Sequence, residues 1–99
     1  MRDVTDDEFE QVVASGRVLV DFYSTWCQPC KPLAVLLERL EPQSPGTTFV
    51  KVNVNEHMLH ASRLGVGALP TLILFEDGEP VKQQLGGLNA SALKEWIGV

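Results

Sequence analysis

The stretch Val18-Leu19-Val20-Asp21-Phe22-Tyr23-Ser24-Thr25-Trp26-Cys27-Gln28-Pro29-Cys30 decides the fold, because it passes from a strand into a helix across a pair of cysteines. Over residues 18–23 every position except Asp21 is β-branched, aromatic or Leu, which reads as a strand buried on both faces. Strand alternation sets Val18, Val20 and Phe22 on one face and Leu19, Asp21 and Tyr23 on the other. Asp21 therefore shares a face with apolar neighbours, which costs free energy unless its carboxyl is partnered or protonated. Beyond the cysteines, Leu33, Leu36, Leu37 and Leu40 trace one face of a helix. The cysteine pair thus stands at a strand-to-helix junction.

Toward the N-terminus, Thr5 and Glu8 have the spacing of a capping box, and Phe9, Val12 and Val13 continue it as a short amphipathic helix up to Ser15 and Gly16. Toward the C-terminus, Pro42, Pro45 and Gly46 end the central helix and make a loop. Residues 49–55 alternate, with Val50, Val52 and Val54 as the apolar row of a second strand. Residues 56–64 predict a short helix carrying Met58, Leu59 and Leu64, stopped at Gly65. Residues 71–75 and 81–85 read as strands joined by a hairpin whose turn is Asp77-Gly78. Asn89 can cap a last helix in which Leu93, Trp96 and Ile97 share a face, with Trp96 filling core. The order helix, strand, helix, strand, helix, hairpin, helix specifies an α/β sheet with parallel and antiparallel parts.

Composition narrows the function. At 99 residues, 44% apolar and 21% charged, the chain is expected to form one domain over residues 1–99. Its net charge of -5 repels nucleic-acid phosphates and anionic membrane surfaces. The longest apolar run, residues 33–37, is far short of the ~20 residues needed to cross a bilayer. Five of the first ten residues are acidic, where a secretory signal needs a basic start and an apolar stretch. A cytoplasmic location is the expectation, provided no leader has been removed.

The two cysteines are separated by Gln28 and Pro29 alone, so a bridge between them closes a tiny loop. So short a loop removes little entropy from the unfolded chain and is a poor staple. Positions i and i+3 on a helix hold their Cβ atoms ~5–6 Å apart. A disulfide wants ~3.5–4.5 Å, a gap small enough that dithiol and disulfide can exchange within one fold. Cys27, read at the opening of the helix, meets unpaired amides and the positive end of the dipole, both favouring the thiolate. That makes Cys27 the nucleophile. Cys30, read one turn further in, is the hidden thiol that attacks a mixed disulfide formed on Cys27. Pro29 suits a first helical turn and stiffens the loop.

The segment from Asp21 through Cys27-Gln28-Pro29-Cys30 to Lys31 resembles the strand and active-site turn of the thioredoxin family. Leu69-Pro70-Thr71, Phe75 with Asp77-Gly78, and Gly86 match the same family in order and approximate spacing, so the likeness covers nearly the whole chain. The resemblance implies a thioredoxin fold, with a mixed central sheet of four to five strands flanked by four helices, and a cis peptide at Pro70. It implies a substrate surface made by Trp26, Gln28, Pro29, Ala68, Leu69, Pro70 and Gly86, with backbone around Leu69 pairing with the substrate segment. Asp21 matches the family's buried carboxylate behind the second cysteine, and Lys51 the lysine near it. The activity implied is reduction of disulfide-containing proteins by a monomer that needs no cofactor or metal and draws electrons from a thioredoxin reductase-like donor. Three departures stand out: Gln28 for the usual Gly, Tyr23 where Trp is common, and Val35 for a kink-forming Pro while Pro32 lies three residues earlier. They predict a reshaped first helical turn and an altered reduction potential.

Two other readings compete with a dithiol-disulfide reductase. One is a thioredoxin-like binding or chaperone module with little turnover, which has no need of Pro29 and Asp21 around paired thiols. The other is a zinc domain using His57 and His60 as its second half. A zinc finger wants ~12–15 residues between the pairs and three to five between the histidines. Here 26 and two intervene, so the histidines read as solvent-exposed side chains of a short helix.

Overall fold

A computed structural model describes residues 1–99. Its five strands are β1 (Arg2–Asp3), β2 (Arg17–Tyr23), β3 (Thr47–Asn53), β4 (Thr71–Glu76) and β5 (Glu79–Leu85). They form one sheet in the order β1-β3-β2-β4-β5. Four helices flank it: α1 (Asp6–Val13), α2 (Cys30–Leu40), α3 (Leu59–Arg63) and α4 (Ala90–Ile97). The β1-β3 and β3-β2 pairs are parallel, while β2-β4 and β4-β5 are antiparallel. Parallel β2 and β3 need a crossover, which α2 supplies.

Local signals account for the element ends. Thr5 Oγ1 accepts from the Glu8 amide at 3.3 Å while Glu8 Oε1 accepts from the Thr5 amide at 3.1 Å, a complete capping box at the start of α1. Asn89 Oδ1 accepts from the Ala92 amide at 2.8 Å and caps α4. At the hairpin tip, Asp77 and Gly78 both take positive φ, 49° and 88°. That is the backbone a two-residue turn needs to match the twist of its strands. Asp77 Oδ1 also accepts from the Gly16 amide at 2.8 Å, pinning the tip to the loop before β2.

The alternation of β2 divides the core into two layers. Val18, Val20 and Phe22 pack with Val50, Val52, Ile73 and Phe75 beneath Phe9 and Val13 of α1 and Ala61 of α3. Leu19 packs on the opposite face with Phe49, Leu72 and Leu74, beneath Leu33, Leu37 and Leu40 of α2 and Leu93 and Ile97 of α4. Burying each such Leu is worth about 1.5–3 kcal/mol against leaving it exposed. Asp21 follows Leu19 onto the face beneath α2 and α4, on the central strand of the sheet.

Besides the added edge strand β1, four details differ from what the sequence predicts. The helix expected over residues 56–64 shortens to Leu59–Arg63, and Met58 and Leu59 are exposed. One turn of helix can present only one side, and here His60 and Ala61 supply it. His60, expected in solvent, is buried: its ring stacks on Phe9 at 4.5 Å and Nε2 lies 3.0 Å from the Asp6 carbonyl. Trp96 is half-buried at the rim of the second layer, with the Lys82 ammonium 5.7 Å from its ring centre, so it covers core rather than filling it. Pro42 lies in a 3-10 turn, Glu41–Gln43, that extends α2 where a loop was expected.

Candidate active site

The site lies where β2 ends and α2 begins. The chain leaves β2 at Tyr23 and makes a turn in which the Cys27 amide donates to the Ser24 carbonyl at 3.3 Å. Helix α2 starts at Cys30, with Pro29 as its N-cap. Cys27 thus precedes the helix and Cys30 is its first residue, so the helix begins about one turn later than the sequence spacing predicts. The Lys31 amide donates to the Gln28 carbonyl at 3.2 Å, so the Gln28-Pro29 segment forms its own tight turn ahead of the helix. Pro32 falls in the first turn of α2, where amides have no intrahelical acceptor, and the helix runs unbroken to Leu40.

The two sulfurs are bonded, with S–S 2.06 Å and Cα–Cα 5.3 Å. Their exposures differ: Cys30 is 3% exposed, Cys27 only partly buried. Behind Cys30 a cleft of about 260 Å³ is lined by Asp21, Tyr23, Lys31 and Lys51 as well as by Cys30 itself. Asp21 is 1% exposed and neither carboxyl oxygen has a hydrogen-bond partner. Burial without a partner pushes its pKa up from 3.8 to about 7, against a smaller opposing pull from Lys51. Asp21 is thus the buried carboxyl that the alternation of residues 18–23 predicts.

Lys51 sits opposite Asp21 in the β2-β3 register. Its Nζ lies 3.9 Å from Asp3 Oδ2 and 5.5 Å from the centre of the Tyr23 ring. The Tyr23 hydroxyl donates to Asp3 Oδ1 at 2.6 Å. Burial and the nearby Asp3 carboxylate push the Tyr23 pKa up, so the phenol stays a donor. The sequence reading missed Asp3, because a two-residue strand is too short to show alternation. The acidic side chain immediately before buried Val4 was the available signal.

Just before β4, whose Thr71 pairs with Phe22 of β2, the Leu69-Pro70 peptide is cis. Thr71 Oγ1 donates to the Ala68 carbonyl at 2.7 Å, and the Gly86 amide to the Pro70 carbonyl at 2.8 Å. Gly86 has φ 81°, a conformation that favours glycine. Trp26 is 82% exposed, Gln28, Pro29 and Ala68 are exposed as well, Leu69 and Gly86 are half-buried, and Pro70 is buried. The structure thus brings Asp21, Cys30 and Lys51 to one cleft with Cys27 bonded to Cys30, and sets Thr71, which follows Pro70, beside Phe22 near the end of β2. His57 and His60 belong elsewhere, with His60 committed to the packing between α1 and α3.

The thioredoxin family model matches residues 1–98. The chain is 43% identical over 94 residues to thioredoxin of Chlamydia muridarum, covering 95% of this chain and 92% of that one. This chain belongs to the thioredoxin family. It is also 44% identical over 84 residues to thioredoxin of Staphylococcus haemolyticus, covering 84% of this chain and 81% of that one. Among solved structures, Plasmodium falciparum thioredoxin aligns with a TM-score of 0.93 at 32% identity, covering 99% of this chain and 97% of that one. Mitochondrial thioredoxin 3 from Saccharomyces cerevisiae aligns with a TM-score of 0.90 at 33% identity, over 99% and 93% of the two chains. The resemblance read from the active-site turn thus extends to the whole thioredoxin fold, five-stranded and with four helices. With its cysteine pair bonded at the family's active-site turn, this thioredoxin-family protein is a dithiol-disulfide oxidoreductase. Proteins of the family act on disulfide substrates and are regenerated by a reductase. No helix is long and apolar enough to cross a membrane.

Proposed function

We propose that this protein reduces disulfides in other proteins, with Cys27 as nucleophile, Cys30 as resolving thiol and Asp21 as the proton acceptor for Cys30. The unequal burial of the two bonded cysteines, with Cys30 lining a cleft that also holds a buried, partnerless Asp21, carries the reading. In the reduced protein the Cys27 thiolate attacks one sulfur of the substrate disulfide. The other substrate sulfur leaves as a thiolate and takes a proton, and a mixed disulfide remains on Cys27. Cys30 then gives its proton to the Asp21 carboxylate, directly or through a water, and attacks the Cys27 sulfur. The second substrate thiol leaves, so the substrate has gained two electrons and the Cys27–Cys30 pair has lost them. The bonded pair is the product state of this cycle, and a thioredoxin reductase-like donor gives it two electrons, with two protons taken up, to return it to the dithiol.

Trp26, Gln28, Pro29, Ala68, Leu69, Pro70 and Gly86 form the surface on which the substrate segment lies in this proposal. The Leu69 amide and carbonyl join no backbone hydrogen bond, which leaves both free to pair with an extended chain. Lys51 acts on Asp21 through its charge. The protein works as a cytoplasmic monomer of one domain with no affinity for nucleic acid, in keeping with its net charge of -5.

Insulin reduction by dithiothreitol tests the activity. Catalytic amounts of protein are expected to speed precipitation of the reduced insulin, and a rate equal to that of dithiothreitol alone would leave only the binding-module reading. Gln28→Gly bears on the exposed loop and removes no reacting atom. It is expected to move the redox midpoint by about 10–30 mV, up to roughly a tenfold change in the exchange constant, with turnover kept. An unchanged midpoint in glutathione buffers would dismiss a tuning role for residue 28.

A further inference from the structure

Lys51 occupies the middle of a row across three strands. The β2-β3 register puts it opposite Asp21, and the β1-β3 register puts it opposite Asp3. One cation therefore stands between two carboxylates, and the side chains do not share it evenly. Its Nζ is at ion-pair distance from Asp3 Oδ2, 3.9 Å, whereas it makes no ion pair with Asp21. The Tyr23 hydroxyl engages Asp3 Oδ1 at 2.6 Å, which leaves Oδ2 turned to the ammonium.

We propose that Asp3 is a positioning residue that holds the Lys51 ammonium off Asp21, and so keeps Asp21 able to take up a proton. The proposal rests on the reading of Asp21 as proton acceptor for Cys30. A buried carboxylate in contact with an ammonium stays ionised and is a weak base. A buried carboxyl whose cross-strand cation is drawn outward toward solvent-facing Asp3 escapes that fate. The other elements around Asp21 supply few competing charges. From α2 come Cys30 and the exposed Lys31, from β2 itself Tyr23, and from β4 the apolar partner Leu72. Glu56 acts on Tyr23, and α4 contributes apolar Leu93 and Ile97 to this face. Lys51 is the cation that pulls on Asp21, and Asp3 is the anion paired with it.

Carbon-13 NMR of the Asp21 carboxyl, followed against pH in the oxidised protein, tests this in four forms: parent, Asp3→Asn, Lys51→Met and the double variant. Asp3 is well exposed and Asn keeps its shape, so the fold is expected to survive. With Asp3 neutral, Lys51 is free to turn to Asp21, and the Asp21 midpoint is expected to fall by about one pH unit. In the Lys51→Met background the same substitution is expected to move the midpoint by less than half as much, since only the direct field of Asp3 remains. An equal displacement in both backgrounds, or none in either, overturns the proposal. Rates of mixed-disulfide resolution in the Asp3→Asn variant separate the two readings. If the midpoint falls only with Lys51 present while resolution keeps its pH profile, Asp3 positions Lys51 as proposed and the assignment of Asp21 as base fails alone.

Discussion

Cys30→Ser is expected to stop turnover at a mixed disulfide held on Cys27, lowering insulin reduction on the order of 1000-fold or more. The two thiols act as a unit: with Cys30 gone, the first attack still occurs and nothing inside the protein can release the substrate. Mass spectrometry of the quenched variant should find one substrate adduct per protein, mapped to Cys27. In the Cys27→Ser variant the remaining thiol is 3% exposed and should form adducts far more slowly. Equally fast adducts on Cys30 would reverse the assignment of nucleophile and resolver.

Asp21→Asn is expected to slow the resolving step about 100-fold while leaving the first attack nearly unchanged, because the lost group serves Cys30 and not Cys27. The same substitution has a stability signature whose sign follows from burial. The folded-state pKa is raised from 3.8 to about 7, so the native state carries no penalty below the unfolded value. Stability is lost as pH rises from there through the folded value, and the loss is constant above it. At about 1.4 kcal/mol per pH unit the full penalty is on the order of 4 kcal/mol. Asn brings a pH-independent cost of its own, since its amide is as short of partners as the carboxyl it replaces. The difference between the two proteins should therefore move toward the variant by about 2–4 kcal/mol between pH 4 and pH 8. Urea melts across that range measure it. Parallel curves for parent and variant, with equal rates of resolution, would mean that the Asp21 carboxyl is not shifted by its burial and plays no part in proton transfer.

Much of this was legible in the sequence because its signals are local. Alternation in residues 18–23 assigns both faces of β2, and the lone carboxyl among them announces a buried Asp21. The Thr5 and Glu8 spacing, the Asp77-Gly78 turn and the Asn89 cap each mark an element end through one or two hydrogen bonds. What escaped depends on contacts made at long range. β1 is held by its neighbour β3 and has only two residues, so neither it nor Asp3 shows a periodic pattern. His60 looks like any polar residue of a short helix until α1 packs across it and presents Phe9 and the Asp6 carbonyl. Met58 and Leu59 look like core until the short α3 docks through His60 and Ala61 instead. The start of α2 shifts because the Gln28-Pro29 turn takes up the residues that the i, i+3 spacing would assign to a helix.

Cys27 and Cys30 exchange between dithiol and disulfide as one pair within one fold. Equilibration in graded glutathione buffers, with free thiols counted after alkylation, tests it most directly. The expected result is a single two-electron transition, about 30 mV per tenfold change in the ratio of the two forms, in which both thiols appear and disappear together and the far-ultraviolet circular dichroism spectrum is unchanged. Two cysteines titrating separately, each ending as a stable glutathione adduct, would contradict it.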